Sequence, residues 1–229
     1  MTLKTMVDQV RVEIGDPSGN AIPWKAIEKW LNDGQSEIAR VAKCVTEAVT
    51  TDLVDGQYLY PLPDECLEVI YVSIKDTATD DPRPLVQVDH REILATESLS
   101  EGTPRYYAIY RDSLWISPTG NQDLSDAIKV HYYKIPDTMD SASDVSELPT
   151  RFHTCCVHYA VAQAYVLGYV DAPLWRVQAM QQRYERSLAG ARADSQGKEA
   201  DHVRQFGRRG VGYGIWSPYV QIPDNIPEP

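Results

Sequence analysis

Cysteine and long apolar runs are both scarce in this chain. It has four cysteines among 229 residues. Two of them are adjacent, and a chain of this length does not need disulfide bonds, so we expect no disulfide framework. No stretch approaches the roughly eighteen consecutive apolar residues of a membrane span. The first fourteen residues alternate charged and apolar side chains, so we expect no signal peptide and synthesis in a reducing cytoplasm.

Positive charge is also scarce. Lys and Arg number 22 against 33 Asp and Glu, which gives a formal net charge of −11. A protein that reads DNA sequence carries a basic face, so the composition argues against that class. An acidic surface suits a wall past which nucleic acid slides without sticking, although the same balance also keeps ordinary proteins soluble.

Catalytic motifs are missing as well. The sequence contains no G-x-S-x-G, H-E-x-x-H or Walker pattern. Its densest reactive cluster is His153-Thr154-Cys155-Cys156-Val157-His158. On a helix, His153 and Cys156 share one face and Cys155 and His158 another, so neither pair completes a zinc site. We therefore predict no catalytic residue, no metal and no cofactor, and keep a small metal-dependent hydrolase only as a remote alternative.

Helical patterns occur at both ends of the chain. Thr2 and Gly15 can cap the first helix, and proline suits the starts of the others. The predicted helices cover residues 3–14, 23–45, 149–168 and 171–195. Each pair alone buries too little apolar surface to be stable. The sequence therefore predicts a four-helix body of discontinuous sequence, formed by residues 1–47 and 148–198.

Between the helical pairs the pattern is that of strands. The stretches 68–75 and 127–134 are rich in β-branched and aromatic residues, and residues 104–117 read as a hairpin. About six short strands predict an inserted antiparallel β domain over residues 48–147, and hence an α+β fold. Its many aromatics could form a carbohydrate or nucleic-acid platform, but such residues more often fill sheet faces and cross-strand pairs.

The last segment, residues 199–229, has a composition of its own. From Lys198 the helical pattern stops, and glycines and prolines interrupt regular structure. Large apolar residues nevertheless remain, so we predict an extended arm that either packs on its own domain or, as we prefer, docks on another subunit. Its glycines lack the Lys-Ser/Thr of a phosphate loop. The candidate docking residues are Arg204, Phe206, Arg208, Arg209, Tyr213, Trp216 and Tyr219.

Six short segments occur along the chain in an order that resembles that of a known family. In chain order they are WLNDGQSEIA (30–39), QYLYPLPD (57–64), GTPRYY (102–107), LWISP (114–118), YYKIP (132–136) and LPTRFH (148–153). None is specific alone, but over residues 2–195 the ordered set resembles the head-to-tail adaptor (connector) proteins of tailed bacteriophages, particularly the short-tailed ones.

The resemblance implies a structural role. Such adaptors form a ring, usually of twelve copies, beneath the portal, extend the DNA channel and present a surface to the tail nozzle or tail tube. It implies a place at the head–tail interface of the virion after synthesis in the host bacterial cytoplasm. DNA would pass without sequence-specific binding, and the C-terminal arm would reach the portal or neighbouring copies. Alternatives are another tail-completion or nozzle-associated virion protein and a carbohydrate-binding module.

Overall fold

Along the chain, two helices precede the β region and two follow it. The structure, a computed structural model, describes residues 1–77, 80–95 and 101–208, without the side chains of 95 and 196–208. The helices are α1 (Leu3–Ile14), α2 (Trp24–Ala42), α3 (His90–Ala95), α4 (His153–Val166) and α5 (Leu174–Arg208), with a 3-10 turn at Thr150–Phe152. The strands are β1 (Thr46–Leu53), β2 (Leu59–Pro61), β3 (Cys66–Ile74), β4 (Arg83–Pro84), β5 (Val86–Gln87), β6 (Tyr106–Tyr110), β7 (Ser113–Ser117) and β8 (Leu124–Lys134). The predicted mixed α+β class is confirmed, whereas the division into three segments stays a prediction.

Local chemistry explains the ends of the first two helices. The Thr2 hydroxyl accepts a hydrogen bond from the Thr5 amide, and Gly15 closes α1 in the left-handed conformation at φ 82°. The second helix ends at Ala42, short of the predicted Val45, because Lys43 adopts a left-handed φ of 47°. The chain can then enter β1 directly.

The helices from the two ends of the sequence share one core. Apolar side chains of α1, α2, α4 and α5 form a single buried cluster. The segment that returns from β8 is held against α2 by Asn32, whose side chain donates to the Met139 carbonyl (3.1 Å) and accepts from the Met139 amide (2.9 Å). Gln35 donates to the Asp137 carbonyl at 2.6 Å. These two polar residues of the 30–39 segment therefore attach the return of the β region to the helical core.

Two four-stranded sheets enclose a second core. Their strand orders are β1-β8-β3-β4 and β2-β7-β6-β5, and residues such as Tyr60, Val72, Ile116 and Tyr132 are buried between them. The prediction of about six strands missed only the two-residue β4, because the short strand expected at residues 85–88 contains β5. The expectation of purely antiparallel pairing is wrong for β5, which pairs with β6 in parallel. The long connection between them carries α3 and brings the chain back in the same direction.

The fifth helix corrects the predicted arm. The periodic apolar stripe ends near Ser195, where we predicted the helix to end, but α5 continues to Arg208. Residues 196–208 lose the stripe yet keep strong helix formers such as Lys198, Glu199 and Ala200, and each of the two glycines in this stretch costs only about 1 kcal/mol. The first part of the predicted extended arm is therefore helical, and residues 209–229 lie outside the described residues.

Candidate assembly surfaces

Helix α5 runs antiparallel to α4 and points its C-terminal half toward the β region. The rings of Tyr159 and Tyr184 meet edge to face with centroids 5.1 Å apart. Further along, Asp194 forms an ion pair with Arg151, just before α4 begins. The last α5 residue of the helical core is Ala191. Seventeen more residues follow to Arg208, which at 1.5 Å per residue is about 25 Å of helix.

The seven candidate docking residues fall into two groups. Arg204, Phe206 and Arg208 lie in the last turns of α5, where backbone but not side chains are described. The two arginines are four residues apart, so they share one face of the helix. The others lie outside the described residues: Arg209, Tyr213, Trp216 and Tyr219. Their docking role therefore stays a prediction.

An exposed apolar corner lies where α4 turns into α5. Five large apolar side chains within ten residues are at least 46% exposed, and Leu174 and Trp175 reach 71% and 69%. We call Val166, Leu167, Tyr169, Leu174 and Trp175 the apolar corner. Concentrated exposure of this kind marks contact surfaces. This corner was not predicted from the sequence, although one signal was present: Trp175 lies off the apolar stripe that starts at Val177.

The aromatic residues of the β region are dispersed. Tyr60, Tyr107 and Tyr132 are buried in the sheet core. The indole of Trp115 contacts Tyr58 and Tyr110, with centroids 5.4 and 6.3 Å away. The remaining exposed tyrosines lie on different sheets. These contacts are the sheet filling and ring pairing that the sequence favoured over a continuous binding platform.

The His and Cys residues of α4 have structural partners. The buried His153 ring donates from Nε2 to the Leu148 carbonyl at 2.9 Å, and its Nδ1 lies 2.6 Å from the Met1 amine. Burial lowers the pKa of this imidazole. Burial also raises the pKa of the Cys155 thiol to about 12 and holds that of Cys156 far above its usual range. Because the thiolate is the reactive form, these cysteines are inert at neutral pH.

Two other kinds of site are absent from the part of the chain that the structure describes. No group of three or more His, Cys, Asp or Glu in the described ranges is arranged to hold a metal ion. In the same part of the chain no helix is long and apolar enough to cross a membrane.

Comparison with known proteins agrees with this picture. The family model of the SU10 adaptor protein matches residues 1–208, which include both helical pairs, the whole β region and α5 to its last residue. A search of curated proteins found no match. The matched range leaves out only residues 209–229. The chain belongs to the SU10 adaptor proteins, a family of tailed-phage head–tail adaptors with a structural role in the virion.

Proposed function

We propose that this chain assembles as a ring, of twelve copies as in the adaptors it resembles, beneath the portal of a short-tailed phage. The ring extends the DNA channel and joins the tail nozzle or tail tube, after synthesis in the host cytoplasm. The observation that carries the proposal is the family match over residues 1–208, because it spans every described element instead of one motif. The work of the protein is then assembly, not catalysis.

The apolar corner supports the ring. A closed ring needs two different, complementary surfaces on every subunit. Tyr169 and Trp175 in the corner are of the residue types that dominate binding energy at interfaces. Trp175 is 69% exposed, and the half-exposed Tyr169 is held by an edge-to-face contact with Trp30. Burial against a neighbouring copy would remove this apolar surface from water.

The C-terminal segment supports attachment to another subunit. Because α5 continues about 25 Å beyond Ala191, its last residue, Arg208, lies well away from the helical core of its own chain. The aromatics that follow it in the sequence could each contribute on the order of 2 kcal/mol if fully desolvated. In a ring, every copy repeats the contact, so the whole ring binds its partner with a higher overall affinity than a single contact gives.

The charge of the chain supports the passage of DNA. A net charge of −11 repels the phosphate backbone, so a channel wall of this composition would not retain DNA during packaging or ejection. We therefore propose DNA as a passing contact without sequence-specific binding.

Electron microscopy of the full chain mixed with the portal from the same genome tests the proposal. We expect a ring of this chain stacked against the portal. A matched variant in which residues 209–229 are scrambled should keep its helix content by circular dichroism but lose the portal. If the scrambled variant joins equally well, the arm has no docking role. If the full chain joins neither portal nor tail components, the adaptor function itself is wrong.

A further inference from the structure

The outer edge of β1 carries unpaired backbone groups. This strand is at the end of its sheet, with β8 on one side only. The Lys134 amide donates to the Val45 carbonyl at 3.0 Å, so these two residues form a hydrogen-bonded pair. In an antiparallel ladder every second residue is hydrogen-bonded to the neighbouring strand. Glu47, Val49 and Thr51 therefore face β8. The N–H and C=O groups of Thr46, Ala48 and Thr50 point outward, and no described backbone group pairs with them.

This edge lacks the usual protection against strand addition. The other edge strands, β2, β4 and β5, have only three, two and two residues. Strand β1 has eight and contains neither proline nor lysine. Its register is regular from Thr46 to Thr51 and shifts only after that. Natural proteins block exposed edges with short strands, proline, lysine or register irregularities, so a long regular edge without them is a template for another strand.

One end of the edge is strongly acidic. Four exposed aspartates meet where β1 ends and β8 begins, and among the described residues none has an ion-pair partner. Their hydrogen bonds hold them together: Asp52 accepts from the Asp126 amide and Asp123 from the Asp55 amide, both at 2.8 Å. We call these four residues the acidic end. Lys75 and Lys129 line the depression beside Asp126, but carboxylates are in excess there, and this excess favours a basic partner.

We propose that the outer edge of β1 binds the C-terminal segment of a second copy, which adds as an antiparallel strand. This rests on the proposed ring. Residues 219–222 (Tyr-Val-Gln-Ile) have high strand propensity and lie between Pro218 and Pro223. Arg208 and Arg209 precede them and match the acidic end, where the added strand begins.

The geometry of the chain fits this pairing. Helix α5 carries the segment toward the end of the helical body from which β1 emerges, as the Arg151–Asp194 pair shows. The eleven residues from Arg208 to Tyr219 span up to about 36 Å when extended. Each copy then offers one edge and one segment. Head-to-tail contacts between unlike surfaces close into rings.

Cross-linking of the full chain tests the pairing directly. A photoreactive benzophenone residue replaces Gln221, and equal amounts of ¹⁴N and ¹⁵N chains are mixed before irradiation. We expect mass spectrometry to find links between a peptide of one isotope containing position 221 and a peptide of the other containing residues 46–52. Links within one copy only, or none to β1, would overturn the inference.

A matched pair of variants tests the backbone contact. Ala48→Pro removes one outward N–H and leaves the bonds to β8, which proline tolerates at an edge. Ala48→Val keeps the N–H. We expect the proline variant to lower the yield of links between copies about tenfold, the loss expected for one backbone hydrogen bond. Equal yields from two variants with the same melting curve would contradict strand addition.

The same reagent separates this inference from the proposed function. Irradiation is repeated with the portal present. Links from position 221 to the portal, with none to β1, would leave the adaptor function intact and refute only the β1 pairing. Links to neither, together with no portal-bound ring by electron microscopy, would count against both.

Discussion

Substituting Gly34 by alanine should destabilise the helical body, although the same change normally stabilises a helix. Gly34 lies buried in α2. A Cβ atom added there would lie 2.9 Å from Tyr159 Cδ1 and 3.1 Å from its Cβ and Cγ. Ordinary carbon contacts begin near 3.4 Å, and the Tyr159 Cβ cannot rotate away because it is fixed to α4. The two helices would have to separate.

The size of the effect follows from two opposing terms. Alanine gains about 1 kcal/mol of helix propensity over glycine, and overpacking a core costs about 1–3 kcal/mol. We expect Gly34→Ala to lower the free energy of unfolding by about 1 kcal/mol. Gly190 is the matched control, because it lies in α5 with nothing within 4 Å of its added Cβ. Gly190→Ala should raise the free energy of unfolding by about 1 kcal/mol.

Thermal unfolding followed by circular dichroism at 222 nm measures the difference. At about 2–4 °C per kcal/mol for a chain of this size, the melting temperatures of the two variants should differ by about 4–8 °C. In a Tyr159→Ala background, which removes the ring, Gly34→Ala should cost less than in the native chain. Equal stabilisation by both alanines would refute the close approach of α2 and α4.

Two further predictions concern the apolar corner and the buried histidines. Changing Leu174 and Trp175 together to serine should weaken self-association about tenfold or more in sedimentation velocity and leave the melting curve unchanged. The control is Val12→Ser, because Val12 is 68% exposed on α1, and it should change neither self-association nor the melting curve. If the double variant and the control weaken self-association equally, the corner is not a specific contact. Burial lowers the pKa of His153 and His158 below the ordinary 6.5, so their contribution to stability is complete above about pH 6.5 and falls as the pH drops toward the folded values. Urea unfolding at about pH 7.5 and pH 5 should show a loss that becomes smaller when both are changed to glutamine; an unchanged loss would assign the pH dependence to other groups.

Most of the helical elements could be predicted from the sequence because their signals are local. Thr2 and Gly15 mark the two ends of α1, and the structure places caps at both. A glycine inside a helix, such as Gly34, does not show from the sequence alone whether it marks close packing, and its approach to Tyr159 shows that it does. The aromatic residues of the β region also behaved as expected, since Tyr60 and Tyr107 are buried in the sheet core.

The incorrect predictions share a physical cause: each concerns a feature that depends on residues distant in the sequence or on the solvent, not on a local pattern. The parallel pairing of β5 with β6 depends on how the intervening α3 returns the chain, and no local pattern encodes it. The end of α5 was misplaced because the loss of an apolar stripe was taken as the loss of helix. A helix without a stripe needs only good propensity on a solvated surface, and residues 198–200 have it. The apolar corner was missed because exposure at a turn depends on what packs above it.

The two surfaces that we propose to join neighbouring copies lie at opposite ends of the helical body. Helix α4 starts beside the β region and ends at the apolar corner, and its 14 residues span about 21 Å. The corner is therefore at one end, and the β1 edge and the C-terminal half of α5 are at the other. Both are proposed as contacts with neighbouring copies, so each subunit carries two separate contacts to the ring. Because sites more than about 10 Å apart act independently in energy, one contact can form before the other and be retained. The order of assembly can then be set by which partner arrives first.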